Sequence, residues 1–420
     1  MYAPADGRRG RLCPEPNLKP LSSERRFESA RRRFADATQD STPVRGYTHD
    51  FYRYPARFSP TFVRAAIALF TKPGDVVLDP FMGGGTTLVE ARILGRPSVG
   101  LDVSPLATLI AKVKTTTLSE ADRSRLDSWV AEIQPRLSLR SALRKSTAVD
   151  VDDRLANLGG QRAWPLRKLL SLAVESVQEL PTNRERLFAR CALLKTAQWA
   201  LDGRRQIPGV EAFRRRLIAN VGSMLDGARE FEEAAHEARR AHAAPVPLRA
   251  WCYTASASEL SKMEIVRRLP APRLILTSPP YPGVHVLYHR WQVAGRRETP
   301  LPFWIASVPD GNGPSFYTFA HRSNTDAYFR RALDAFSQLA VVADRRTIMI
   351  QLLGFADPPS QLPAYLSMLR QAGWTETSVP FGRQAPGARL WRVVPNRRWH
   401  AKQKGSTAAS REVLLIHRVT

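Results

Sequence analysis

The sequence predicts an α/β protein: a largely parallel sheet with helices on both faces and a large helical insertion. Three stretches carry that prediction. In residues 75–87 the apolar run Val76-Val77-Leu78 ends on Asp79, the glycine run Gly83-Gly84-Gly85 follows, and a helical pattern starts at Thr86-Thr87. Strand, glycine turn and helix open a Rossmann-like βαβ unit, in which glycines let the backbone approach a ligand closely. The second stretch, Ser98-Val99-Gly100-Leu101-Asp102, ends on another carboxylate, at the spacing of about 20 residues at which such folds bond a ribose. The third, Leu274-Ile275-Leu276, reads as a strand stopped by Pro279-Pro280. A proline-locked turn after a buried strand makes a rigid ledge at the carboxyl end of a sheet, where open α/β folds place their ligands.

From the amino terminus, residues 1–45 mix nine arginines with prolines and few large apolar side chains, and predict a largely disordered basic arm with a short helix at 22–35. The arm either grips phosphates or is a solvated tail. Residues 61–70 have helical periodicity and Pro73-Gly74 ends them; after Asp102, Ser104 and Pro105 cap and start a further helix. Residues 119–245 are helical and basic without strand-like runs, and Thr182-x-x-Glu185 is a capping box whose helix stops at Asp202-Gly203. Arg204 and Arg205, with Arg214-Arg215-Arg216, form a basic cluster there. The region is either a target-recognition element or a helical bundle whose arginines face water.

The sheet resumes at 246–252, and beyond the prolines Gly283 to Trp291 is rich in polar and aromatic groups, Arg290 among them. Residues 298–324 read as a long surface loop. A helix at 326–341, a strand at 347–353, a helix at 360–371 and strands near 375–380 and 412–418 complete the pattern. Between the last two, residues 382–411 hold Arg397, Arg398 and Lys402 and not one acidic residue. The organisation expected is a basic arm (1–45), a first sheet half (46–118), a helical insertion (119–245) and a second sheet half with a basic segment (246–420).

Thr277-Ser278-Pro279-Pro280-Tyr281 offers three groups to an amine on a base: the Ser278 hydroxyl and the Pro279 carbonyl as acceptors, and the Tyr281 ring as a stacking face. Together with Asp79-Pro80-Phe81-Met82-Gly83-Gly84-Gly85-Thr86-Thr87, this motif resembles the cofactor and catalytic motifs of the amino-group DNA methyltransferases, which make N4-methylcytosine or N6-methyladenine. Tyr54-Pro55-Ala56-Arg57-Phe58-Ser59-Pro60 is similar to the segment that closes over the methionine end of the cofactor in that family. The resemblance covers residues 49–115 and 270–290 and implies a class I methyltransferase sheet, S-adenosyl-L-methionine as cofactor and double-stranded DNA as partner. It allows a cognate restriction or defence system as a further partner. It gives Asp102 the cofactor ribose, Asp79 the methionine pocket, and Gly83 and Gly85 the close backbone approach. Many relatives carry an acidic residue after the third strand to bond the adenine amine, whereas this chain has Thr254-Ala255-Ser256-Ala257-Ser258, which leaves Ser256 as a weaker substitute. In the family the segment after the catalytic tyrosine borders an extruded base, so His285, Tyr288, Arg290 and Trp291 are either contacts to that base or packing and salt-bridge residues. Serine at the head of the catalytic motif leans towards cytosine N4.

Composition agrees. A formal charge of +25, from 63 Lys plus Arg against 38 Asp plus Glu and carried mostly by arginine, favours a polyanionic partner. Cys13, Cys191 and Cys252 are too scattered for a zinc site or a disulfide framework, and His285 and His289 lack a third ligand, so no metal is expected. The cytoplasm is the default compartment. No apolar run approaches the roughly 18 residues of a membrane span, and no export signal is read at the amino terminus. Base-carbon methylation needs a cysteine nucleophile, and no Pro-Cys pair occurs. Charge does not tell DNA from RNA, which leaves an RNA methyltransferase open, and the missing acidic residue at Ser256 leaves open a catalytically silent DNA-binding protein of the same fold.

Overall fold

The structure is a computed structural model of the 420-residue chain. It describes residues 23–40, 42, 44–54, 58–143, 155–241, 246–283, 290–293, 297–310, 325–377, 389–393 and 411–420. Among the described residues ten strands run in chain order: β1 Val77–Asp79, β2 Ser98–Asp102, β3 Ala250–Thr254, β4 Leu274–Thr277, β5 Trp291–Val293, β6 Arg297–Thr299, β7 Ile348–Leu353, β8 Trp374–Glu376, β9 Trp391–Val393 and β10 Arg411–Val419. Eight of them form one sheet in the order β3-β2-β1-β4-β7-β10-β8, with β9 alongside the start of β10. Strands β3 to β7 of that row are parallel, and β10 is antiparallel to both β7 and β8. Every residue of β1, β4 and β7 is buried, as expected of parallel strands covered on both faces, whose sequences are apolar runs rather than alternations. This is the Rossmann-like class I methyltransferase arrangement predicted, and it brings the carboxyl ends of β1, β2 and β4 side by side.

Helices α1 Ser23–Thr38, α2 Pro60–Phe70, α3 Thr86–Ile93, α4 Pro105–Thr115 and α5 Glu120–Arg136 follow in the first half. The short helix read at 22–35 is present as α1, and it packs into the fold where the rest of the arm was read as disordered. Phe34 is fully buried against α2, stacked on Phe62 and edge-on to Phe70 with ring centroids 5.5 Å away in both cases. Burying one phenyl ring is worth about 2–3 kcal/mol, enough to hold a helix that its arginines would leave in water. Residues 1–22 lie outside the described residues.

The insertion is helical as predicted, with helices Trp164–Ser176, Asn183–Leu201 and Val210–Ala241 following α5. Its capping box is present in full, Thr182 accepting from the Glu185 amide at 3.2 Å and Glu185 from the Thr182 amide at 3.0 Å. The insertion shares one hydrophobic core with Phe51, Tyr52 and Tyr54 and with Leu106, Ile110 and Val113 of α4, so it packs as an extension of the first sheet half.

Residues 298–324 are not all loop. β5 and β6 pair as a hairpin, the helix Leu301–Ala306 follows, and Leu301, Phe303 and Ile305 are buried in the core of the insertion. Alternating apolar residues between prolines gave a loop-like composition to what is an anchored element. Of the two roles open to Trp291, packing is the one seen: it is 1% exposed and donates its indole N–H to the Tyr52 hydroxyl at 3.0 Å. It is a core residue.

Candidate active site

The strand β1 ends at Asp79, whose carboxylate is buried and accepts from the Phe81 amide at 3.2 Å and from the Thr277 hydroxyl at 2.9 Å. The second bond joins the first sequence motif to the last: Thr277 ends β4 and Ser278-Pro279-Pro280-Tyr281 follows directly. Beside it, Asp102 at the end of β2 accepts the Gly83 amide at 3.0 Å and the Ser104 amide at 2.9 Å. Burial raises both carboxyls, Asp79 from 3.8 to about 7 and Asp102 from 3.8 to about 6. Two carboxyls with raised affinity for protons at adjacent strand ends are poised to gain from a cationic or hydroxyl-bearing ligand.

The glycine run is explained by packing. Gly83 and Gly85 have φ of +47° and +76°, which disfavours a side chain at either. A Cβ at Gly83 or Gly84 would come within 2.9 Å of Tyr54, and one at Gly85 within 2.8 Å of the Ala111 methyl on α4. The cradle is therefore roofed by the Tyr54 side chain, in keeping with the segment expected to close over it. Pro80 and Phe81 form the turn into this cradle, and Thr86 and Thr87 open α3 with both side chains buried. Phe58 is buried with α2, and Pro55 and Ala56 lie outside the described residues.

A buried ion cluster that pattern reading missed ties the turn at His49 and the helix α2 to α3. Glu90 on α3 is fully buried, takes the His49 ring nitrogen at 2.7 Å, and is gripped by the Arg64 guanidinium at 2.8 and 3.2 Å. Burial pushes the His49 imidazole down from its ordinary value, with the bond to Glu90 opposing it. Ser256, expected at the adenine, instead caps the turn Ala257–Lys262: its hydroxyl lies 2.7 Å from that of Ser258 and accepts the Ser258 amide at 3.3 Å.

The catalytic motif is braced from behind. The Tyr328 hydroxyl donates to the Pro280 carbonyl at 2.7 Å, so the acceptors left to a ligand amine are Ser278 and the Pro279 carbonyl. The Ser278 hydroxyl lies 3.1 Å from the Tyr281 hydroxyl, which donates to Glu412 on β10 at 2.5 Å. Glu412 is itself buried and receives Arg392 of β9 at 2.8 and 2.6 Å. The Tyr281 ring is only 7% exposed, with Gly354 against its face. This corrects its expected role as an open stacking platform: the tyrosine links Ser278 to a buried carboxylate. The signal for Glu412 was weak, a lone acid heading an apolar strand.

The expected DNA contacts divide. Arg204 and Arg205 are exposed, and the Arg204 guanidinium lies 4.7 Å from the centre of the Trp199 ring, which Arg216 also approaches at 4.9 Å. Arg290 is ion-paired to Asp310 at 2.6 Å and mostly covered, which takes it off the list of free cations. Arg397, Arg398 and Lys402, like His285 and Tyr288, lie outside the described residues. Among the described residues no group of three or more His, Cys, Asp or Glu could hold a metal ion, and no helix is long and apolar enough to cross a membrane.

The N6_N4_Mtase family model, a DNA methylase, matches residues 25–112. The chain is 41% identical over 68 residues to the type II methyltransferase M.MjaII of Methanocaldococcus jannaschii, covering 16% of this chain and 13% of that protein. It is 36% identical over 92 residues to M.BsoBI of Geobacillus stearothermophilus, 21% and 18% of the two chains. A tRNA (guanine(10)-N2)-dimethyltransferase of Methanothermobacter thermautotrophicus is 33% identical over 87 residues, 20% of this chain and 26% of that one. The chain thus spans only about a quarter or less of the curated relatives it matches. The solved rRNA methyltransferase aviRa from Streptomyces viridochromogenes covers 91% of this chain and 89% of its own at 12% identity, with a TM-score of 0.29 that carries no weight.

Proposed function

We propose that this protein, whose residues 25–112 match the N6_N4_Mtase DNA methylase model, transfers a methyl group from S-adenosyl-L-methionine to an exocyclic amine of a base in double-stranded DNA, the N4 amine of cytosine. The observation that carries the reading is the 2.9 Å bond from Thr277 to Asp79, which fixes the amine-binding motif against the cofactor-type carboxylate. The donor set fits the cofactor: Asp102 suits a ribose diol and Asp79 a positively charged methionine end. S-adenosyl-L-methionine supplies the methyl as an electrophilic carbon on a sulfonium. Ser278 and the Pro279 carbonyl accept the two amine protons and aim the nitrogen lone pair, so the rate comes from proximity and orientation, without a covalent enzyme intermediate. The amine nitrogen gains the methyl and releases one proton, for which Ser278 is the nearest relay to water. Tyr281 holds the Ser278 hydroxyl in place through the bond at 3.1 Å.

The base is extruded from the duplex to reach this ledge. The exposed cations Arg204 and Arg205, with the 382–411 segment, are the proposed phosphate contacts, in a cytoplasmic protein whose biological partner is a restriction or defence system. N6 of adenine is the alternative acceptor, and serine rather than an acidic or amide residue at position 278 is what favours cytosine. The similarity to a tRNA methyltransferase supports RNA as a second substrate reading. Nucleoside mass spectrometry on DNA and RNA from cells expressing the protein, with Ser278→Ala as control, tests these together. N4-methylcytosine in DNA of the wild type alone is the expected result. N6-methyladenine overturns the choice of base, a methylated RNA base overturns the substrate, and no product in either polymer overturns the reaction.

A further inference from the structure

A cleft of about 560 Å³ opens at the outer edge of β3. It lies towards the amino end of the parallel strands, where Arg249 and Ala250 begin β3 and where α3 and α4 end after running back from the glycine loop. Asp79, Asp102 and Ser278 stand at the opposite, carboxyl ends, so the cleft is distinct from the candidate active site.

Four cations, Arg92, Lys112, Arg184 and Arg249, line it, and no carboxylate does among the described residues. Arg184 is engaged elsewhere, with Asp122 at 3.4 Å. Arg92 is the telling residue. It is 9% exposed, its Nε is buried without a hydrogen-bond partner among the described residues, and the charges acting on it, Arg239 and Arg249, are both positive. Burial and these neighbours lower its guanidinium to about 10, still charged at neutral pH. A buried charge without a counter-ion costs several kcal/mol, and a guanidinium cannot escape that cost by losing its proton at physiological pH.

We propose that this cleft is a binding site for a phosphate group, held between Arg92, Lys112 and Arg249, on a ligand of nucleotide size. The guanidinium fork matches phosphate oxygens, and the volume falls within the range of small-molecule sites, about 300–1,000 Å³. Trp251 and Tyr253 of the edge strand also line the cleft, and the Arg249 guanidinium lies 5.2 Å from the centre of the Trp251 ring. The phosphate belongs either to a free nucleotide or to a nucleic-acid strand. The site does not depend on the methyl-transfer reading.

The test is calorimetric titration of the full chain, saturated with S-adenosyl-L-methionine so that the active site is filled, at ionic strength matched with sodium chloride. The probes are inorganic phosphate, uridine monophosphate and a short single-stranded oligonucleotide. Uridine monophosphate binding more tightly than phosphate, and losing at least tenfold in Arg92→Met, is the expected result for a nucleotide. An oligonucleotide that binds more tightly still, with the same loss in Arg92→Met, assigns the phosphate to a strand. Arg92→Met should leave unliganded stability unchanged or raised, because it deletes an uncompensated charge. The exposed Lys112→Ala and Arg249→Ala variants, safe for folding, should each weaken binding severalfold. No binding of any probe to the wild type, or binding unchanged in all three variants, overturns the proposal, and DNA methylation scored separately keeps the two readings apart.

Discussion

Glu412 should be needed for rate as well as for folding, and the two can be separated. Its side chain is 4% exposed and carries two duties: it neutralises Arg392, itself 6% exposed, and it accepts the Tyr281 hydroxyl. Glu412→Ala leaves a buried guanidinium unpaired, which costs about 3–5 kcal/mol. Glu412→Leu combined with Arg392→Met removes both charges at similar volume and should return stability to within about 1–2 kcal/mol of the wild type. In that double variant the Tyr281 hydroxyl still lacks its charged acceptor. A hydrogen bond to a charged group is worth about 1.5–3 kcal/mol, so if it orients Ser278 in the transition state the methylation rate falls about 10- to 100-fold. The assays are urea unfolding and single-turnover methylation of a duplex substrate. A double variant that regains full stability and also the full rate would refute the argument and leave Glu412 a purely structural group.

Three further outcomes follow from the same geometry. Asp79 holds its proton to about 7 in the fold against 3.8 as the ordinary value; the folded state therefore binds more protons between those values, and stability should fall as pH rises from about 4 to about 7, by on the order of 4 kcal/mol at most. Asp79→Asn should flatten that fall in unfolding measured from pH 5 to pH 8, while cofactor affinity in the wild type should strengthen over the upper part of the range; a parallel pH profile in the variant would remove Asp79 as the cause. Gly85→Ala meets both a φ of +76° and the Ala111 backbone at 3.0 Å, so a loss of at least about 2 kcal/mol is expected in thermal or urea unfolding, and a neutral substitution would show that the loop re-forms. Arg204→Ala and Arg205→Ala should each lower the slope of log affinity against log salt by about one for duplex DNA, whereas Arg290→Ala should leave it unchanged because Asp310 already neutralises that charge.

What the sequence disclosed was local and periodic. The strand at 77–79, the glycine turn, the capped helices at 104 and 182 and the buried run at 274–277 each rest on neighbours within a few positions, and each is where the pattern put it. What it concealed was long-range and ionic. Glu90 meets His49 and Arg64, and Glu412 meets Arg392 and Tyr281, across separations at which no periodicity survives. In a chain this rich in arginine any acid reads as surface charge. Pairing also decides which arginines are available to a phosphate. Arg290, Arg392 and Arg64 are among the 63 Lys plus Arg, but in the fold the first is paired to Asp310, the second is buried against Glu412 and the third grips Glu90. Counterion release is driven only by cations that reach phosphates, so the salt dependence of DNA binding should fall well short of the formal charge and should track Arg204, Arg205 and the 382–411 segment. Arg92 is the exception that the pairing rule exposes: a buried guanidinium with no acid beside it among the described residues is a site in want of an anion.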